Sequence, residues 1–352
     1  MYFQPVKLVS SLSVFLFFSS VALGQLGGQH IYSFLNLSNS TRVQALGGKA
    51  AALRDDDVNM ALQNPGLINS AMHGNLSLTY VNYFAGVNFG NVAYAFNAGK
   101  KGTIVSSVHY VNYGTFDRAD QTGLITGNFT AGDYCFSAGY GYKVDSVFQI
   151  GANLKAIYSN YDSFTSVGIA ADLGASYKSP DQRFTAGLAI NNLGTQLRAF
   201  TPGNKEKLPT EIRIALTKEL EHVPLKFTFV AHNLQQPDLT WQDPRIPEES
   251  IDPLTGDTTI NKIGLANKIM RHAIFGAEFN ISKALSLQLG YNYQRRQEMK
   301  VDTRLGTVGI SWGVGVKIYK FSIAYSRSAY HLAGSPNQFT IVARLAEFYR
   351  KN

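Results

Sequence analysis

The sequence predicts an all-β protein, a 14-stranded antiparallel transmembrane β-barrel with an N-terminal plug or hatch segment. Three observations carry this reading. From near residue 75 almost to the end, short segments alternate large apolar residues with small or polar ones. Beyond the N-terminal stretch there is no long uninterrupted apolar run, so the chain has no helix with which to cross a membrane. From the second segment onward, the connections alternate between short and long.

The alternation is clearest between Val308 and Ile318. There Val308, Ile310, Trp312, Val314, Val316 and Ile318 are expected on one face, with Gly309, Ser311, Gly313, Gly315 and Lys317 on the other. Lys143, Lys155 and Lys317 share a face with glycines, serines and amides, which reads as a wet lumen opposite a lipid-facing wall. Taken in order, the expected strands are 75–84, 88–97, 103–111, 133–144, 147–158, 166–178 and 182–192, then 209–220, 224–233, 271–281, 284–295, 307–318, 319–328 and 337–346. Short turns fall at 98–102, 145–146, 179–181, 221–223, 282–283 and 318–319. Long connections fall at 112–132, 159–165, 192–208, 234–270, 296–306 and 327–336, and the tight first connection, 85–87, is the exception. An even strand number with short turns at one end predicts an outer-membrane barrel of a Gram-negative bacterium, both termini periplasmic.

Lys7 precedes an apolar stretch from about Leu8 to Leu23, and Ala22 and Gly24 have the spacing of a signal-peptidase site. Residues 1–24 are therefore expected to be a signal peptide, with the mature chain starting at Gln25. Residues 25–74 form the expected plug and 75–352 the barrel. The formal charge of +8 suits anionic neighbours in the outer-membrane lipid, above all lipopolysaccharide phosphate, and export excludes nucleic acid as a partner. Cys135, the single cysteine, excludes an internal disulfide framework and reads as a small lumen residue beside Ser137 and Gly139.

The plug segment has a different character, with a helix expected over 49–62 and the turn signal Asn64-Pro65-Gly66. The run Thr41-Arg42-Val43-Gln44-Ala45-Leu46-Gly47-Gly48-Lys49-Ala50, followed by Asp55-Asp56 and Asn64-Pro65-Gly66-Leu67, resembles the plug signature of FadL-like barrels. Within that group it is most similar to the PorV and PorQ components of type IX secretion, and PorQ fits the compact length and basic composition best. The resemblance implies an outer-membrane subunit that helps to export cargo and attach it to the cell surface, with PorU, PorV and PorZ as partners. The plug residues it carries over are Arg42, Gly47, Gly48, Asp55, Asp56, Asn64 and Pro65. The C-terminus departs from the usual terminal aromatic, since Phe348-Tyr349 is followed by Arg350-Lys351-Asn352.

Catalytic and cofactor patterns fail on context. Gly309-Ile310-Ser311-Trp312-Gly313 has nucleophile-elbow spacing, but the alternation runs straight through it, which makes Ser311 a lumen residue. Gly47-Gly48-Lys49 lacks the first glycine and the magnesium-binding hydroxyl of a phosphate loop. The seven histidines are scattered, so no metal is expected. Asp55-Asp56-Asp57, with Asn59, has the makings of a cation site, but such acids more often favour a helix start or pair with a lumen cation such as Lys155.

The connection 234–270 carries Pro237, Trp241, Pro244, Pro247 and Pro253 and the acidic pair Glu248-Glu249, a composition suited to docking a partner protein. Two functions compete. One is a non-enzymatic anchoring subunit of a surface-attachment complex, and the other is a FadL-like transporter of hydrophobic small molecules. The lumen rows Gln149, Gly151, Asn153, Lys155 and Ser286, Gln288, Gly290, Asn292 are polar, which favours anchoring.

Overall fold

The computed structural model describes residues 30–349 apart from 100–101, 241–248, 252–257, 261–262, 301–305 and 332–333. The expected signal peptide lies outside the described residues. The strands in chain order are β1 (Asn75–Asn82), β2 (Asn88–Asn97), β3 (Gly102–Ala119), β4 (Ile125–Lys143), β5 (Phe148–Tyr161), β6 (Phe164–Lys178), β7 (Phe184–Arg198), β8 (Glu211–Glu219) and β9 (Leu225–Ala231). They continue with β10 (Glu249–Ile251), β11 (Thr258–Ile260), β12 (Ala273–Phe279), β13 (Leu285–Asn292), β14 (Ile310–Ile318), β15 (Phe321–Ser328) and β16 (Asn337–Arg344). β10 and β11 pair only with each other, and the remaining strands form one closed antiparallel barrel. The expectation of a 14-strand antiparallel barrel holds.

Closure runs through β1 and β16, in register from Asn75↔Arg344 to Asn82↔Asn337, and it leaves the barrel sheet without an unpaired edge. Among the described residues no helix is long and apolar enough to cross a membrane. The strands can, because closure pairs the backbone of each barrel strand with a neighbour on both sides. The faces separate as expected along most strands. Leu289 and Trp312 are cross-strand partners, 57% and 46% exposed on the outer face. Their lumen-facing neighbours Gln288 and Ser311 are buried.

The regular alternation expected to begin at Val308 breaks at Gly309, whose φ of +89° turns the backbone so that Val308 and Gly309 are both buried and the strand starts at Ile310. The expected long connection 112–132 is mostly strand: β3 and β4, of 18 and 19 residues, extend as a hairpin well past the 8 residues of β1. Since roughly 9–11 residues of tilted strand cross the hydrocarbon core, this hairpin overhangs the membrane. Both its faces are exposed, which erases the period-two signal there. β5–β6 and β7 lengthen in the same way, so part of the expected loop length appears as strand at one end of the barrel, called here the long-loop end. β1 begins and β16 finishes at the opposite, short-turn end.

Residues 30–74 lie inside the barrel. A helix α1 (Thr41–Ala45) and short 3-10 turns over Ser33–Asn36, Val58–Leu62, Pro65–Leu67 and Ser70–Met72 replace the helix expected over 49–62. Gly47 and Gly48, at φ +105° and +100°, end α1. The Asp57 side chain accepts from the Asn59 amide, and that local bond favours a turn over a longer helix. The apolar core sits between this segment and the wall. Val43, Leu46, Leu53, Met60, Leu67, Ile68 and Met72 pack with Ala93, Ala95 and Val105.

The segment also runs through the lumen. Ile31 donates its amide to the Lys207 carbonyl at the long-loop end (3.1 Å), whereas Gly74 bonds Ala95 at the short-turn end (2.8 Å). The start and finish of the barrel share one end, and Ile31 sits at the other; both chain termini lie outside the described residues.

Candidate functional site

The candidate site is the interface between residues 30–74 and the lumen wall. Lumen glycines make it possible: a Cβ at Gly187 would fall on the Ala51 carbonyl, one at Gly151 on the Pro65 carbonyl and one at Gly141 on the Ile68 carbonyl. Without side chains at these positions, backbone meets backbone, and polar side chains of both wall and segment bond several of the carbonyls nearby. Asn64 Nδ2 donates to Ala51 O (2.7 Å) and Ala175 O (3.2 Å), while its Oδ1 accepts from Gly66 N (2.8 Å). Asn153 donates to Ala61 O (3.1 Å), Ser176 to Gly66 O (2.6 Å) and Asn292 to Gly47 O (3.2 Å). An unpaired backbone group buried here would be costly, so this matching fixes the path of the segment.

Two ion clusters lock it. On the short-turn side, Arg42 reaches across to β12, with Nε to Glu278 Oε2 at 2.6 Å and Nη2 to Oε1 at 3.0 Å, while Nη1 binds Asp55 at 2.7 Å and approaches Asp57 at 3.7 Å. The planar guanidinium suits this bidentate geometry. On the long-loop side, Lys49 donates to Glu211 Oε2 (2.6 Å), which also receives Arg213 (2.7 Å), and Arg213 continues to Gln63 Oε1 (2.9 Å).

The structure thus brings Arg42 together with Asp55, sends Asp56 to Arg344 at 3.2 Å, and sets Gly47 against Ile274 and Gly48 against Arg295. Asn64 and Pro65 sit against β5 and β6. The pairing of the acidic trio with Lys155 does not occur: Lys155 binds Asp172 at 2.8 Å and Asn192 at 2.8 Å, and Arg42 takes Asp55 and Asp57. Sequence reasoning missed Glu211, Arg213 and Glu278. Each stands on the polar row of its strand, and a charge in a lumen row was the available signal.

Three cavities flank the interface. One of about 720 Å³ opens at the short-turn end between the segment and β12–β16, lined by both signs of charge, including Arg42, Asp56, Glu278, Lys317 and Arg344. A second, of about 220 Å³, lies at the long-loop end beside Lys49 and Arg295. A third, about 30 Å³, has room for one water molecule between His109, Lys155 and Asn192.

Of the expected docking residues, Trp241, Pro244, Pro247 and Pro253 lie outside the described residues. Pro237 lies at the root of the connection, its carbonyl 3.4 Å from His272 Nε2. Beside it, Asp238 clamps the far side of the connection through Lys268 (2.6 Å). Partial burial works toward protonating Asp238, but hydrogen bonds from Lys268 and Thr240 outweigh it and hold the carboxyl down to about 2.

No family model and no curated protein matches the sequence. Solved structures do match the fold. The deltaS2 mutant of the TodX monoaromatic hydrocarbon channel aligns over 87% of this chain and 98% of its own, with a TM-score of 0.52 and 13% identity. The Pseudomonas putida toluene transporter TodX aligns over 87% and 97%, with a TM-score of 0.50 and 13% identity. A Pseudomonas aeruginosa FadL homologue gives 87% and 97%, with a TM-score of 0.48 and 11% identity. These neighbours are not type IX components, so that finer resemblance rests on the sequence motif alone. The chain shares the barrel fold of the TodX structures.

Proposed function

We propose that the protein is a non-enzymatic outer-membrane barrel that works closed, as the membrane anchor of a surface-attachment complex of the type IX secretion kind. The observation that carries this reading is the charged seal. Arg42 bound by Glu278 and Asp55, and Glu211 bound by Lys49 and Arg213, join the N-terminal segment to the wall at both ends of the lumen. A route for hydrophobic molecules favours a continuous apolar wall, whereas the apolar wall patches of this interior are covered by the segment and lie among amides, carboxylates, guanidinium groups and glycines. The plug motif supports the same reading, and the overhanging β3–β4 hairpin gives a partner a surface clear of the membrane.

The second reading is a FadL-like channel for small hydrophobic compounds, with the segment as its gate. The comparisons favour this reading over the first, since the neighbours named above are hydrocarbon channels and transporters. The cavity of about 720 Å³ is also within the range of small-molecule sites.

One pair of measurements separates the two. Toluene flux into liposomes carrying the full-length barrel should match protein-free liposomes under the anchoring reading, and purification in mild detergent should recover a surface partner. Flux well above the lipid background, with no partner recovered, would replace the anchor by the channel. Deleting residues 30–74 should open an ion-conducting pore while preserving strand content. An unchanged pore would show that the segment is not the closure.

A further inference from the structure

The 220 Å³ cavity at the long-loop end differs from the larger one in its charge. Its lining holds two cations, Lys49 and Arg295, together with His232, Tyr330 and several amides, and among the described residues it contains no carboxylate. Arg295 lies over the Tyr330 ring at 4.1 Å and donates to Ser311 Oγ at 3.2 Å, the Tyr330 hydroxyl at 3.3 Å and the Gly47 carbonyl at 3.4 Å. Among the described residues it forms no ion pair with any carboxylate. The acid nearest this cluster is Glu211, and Lys49 and Arg213 already occupy it. His232 is 2% exposed, and among the described residues neither of its ring nitrogens has a hydrogen-bond partner. Its Nδ1 stands 3.8 Å from Glu211 Oε1.

A half-buried guanidinium held flat against an aromatic ring, with no counter-charge, beside a buried imidazole lacking a partner, is an arrangement that an anion completes. We propose that this cavity binds a small oxyanion, with Arg295 and Lys49 supplying the positive charge and His232 a further hydrogen-bond donor. Its volume equals about seven waters at liquid density, which suits inorganic phosphate or a short dicarboxylate and excludes a lipid or an aromatic drug-sized compound. Phosphate and carboxylate share the planar or tripodal oxygens that guanidinium recognises, and the probes distinguish them. The site joins the N-terminal segment (Lys49) to the wall (Arg295 and His232), so occupancy would strengthen the closure from the long-loop end.

Isothermal titration of the detergent-solubilised full-length barrel with sodium phosphate, with succinate and with choline chloride tests the site. The expected result is submillimolar binding of phosphate or succinate and none of choline. The stronger of the two names the ligand group. In R295Q the affinity should fall by about tenfold or more, since a charged hydrogen-bonding partner is removed. In K226Q, which alters only the large cavity at the other end, it should be unchanged. If R295Q does not fold, K49M carries the same expectation, because Arg213 still neutralises Glu211. Absence of binding by both anions up to tens of millimolar, or binding that survives R295Q or K49M undiminished in a folded barrel, overturns the proposal.

Discussion

Arg42 and Glu278 form a two-pronged pair across the lumen, Nε to Oε2 at 2.6 Å and Nη2 to Oε1 at 3.0 Å, although they are 236 positions apart in sequence. The Glu278 carboxylate is 6% exposed and the Arg42 side chain 18%, so both partners are largely removed from water. Taking one partner from a buried pair leaves an uncompensated charge and costs about 3–5 kcal/mol, whereas replacing both with apolar residues is often neutral. Glu278→Gln should therefore loosen the segment, seen as new protease cuts between residues 40 and 60 in an otherwise folded barrel. Arg42→Met should loosen the segment further, because it also strips Asp55 and Asp57 of their cation. Equal resistance in Glu278→Gln and wild type would remove this pair from the seal.

The register of β13 and β14 makes a second prediction. Leu289 faces outward opposite Trp312, and Gln288 faces the lumen opposite Gly313. Leu289→Arg should destabilise the inserted barrel by about 2–4 kcal/mol near the membrane midplane, while Gln288→Arg should be better tolerated. Unfolding titrations in lipid bilayers read both. The opposite ranking would mean that the faces are exchanged, as a one-residue slip would do.

The wall was legible in the sequence because a strand with lipid on one side and a polar lumen on the other must alternate, as Leu287, Gln288, Leu289 and Gly290 do. The signal ended where that asymmetry ended: Asp117, Arg118 and Asn128 project into water from either face of the overhanging hairpin, so no period remained to read. The lumen segment was harder. Ala50, Ala51 and Leu53 suggested helix by propensity, but the Ala51 carbonyl is spent on contacts with Gly187 and Asn64, which are tertiary facts. The ion clusters were half visible. Arg42 and Asp55 belonged to one motif, but nothing local in Glu278 or Glu211 announced which cation each would meet.

Backbone packing against Gly187 yields a third prediction. A valine there would drive Cβ into the Ala51 carbonyl, and neither group is the flexible end of a side chain. Gly187→Val should displace the segment and raise ion conductance with the strand signal intact, whereas Gly127→Ala, with open space around it, should behave as wild type. A silent Gly187→Val would mean the segment is held more loosely than its contacts imply.

The path of the N-terminal segment gives the fourth prediction. Ile31 bonds to Lys207, Tyr32 packs with Phe34 among Val111, Cys135 and Ile157, and the Phe34 ring stacks on His109 with centroids 5.9 Å apart, all toward the long-loop end. By residue 73 the chain has reached the other end, where the His73 ring accepts from the Asn97 amide (3.2 Å). With long loops facing out, as outer-membrane barrels place them, His30 should be reachable from outside the cell and His73 only from the periplasm. In a Cys135→Ser background, His30→Cys should react with a membrane-impermeant maleimide on intact cells, and His73→Cys only after the outer membrane is permeabilised. Labelling of both positions on intact cells would show that the wall or lumen lets the reagent through, which contradicts a sealed barrel. Labelling of His73→Cys alone would invert the barrel, and the connection 234–270 with Pro237 and Trp241 would then face the periplasm, out of reach of any surface partner.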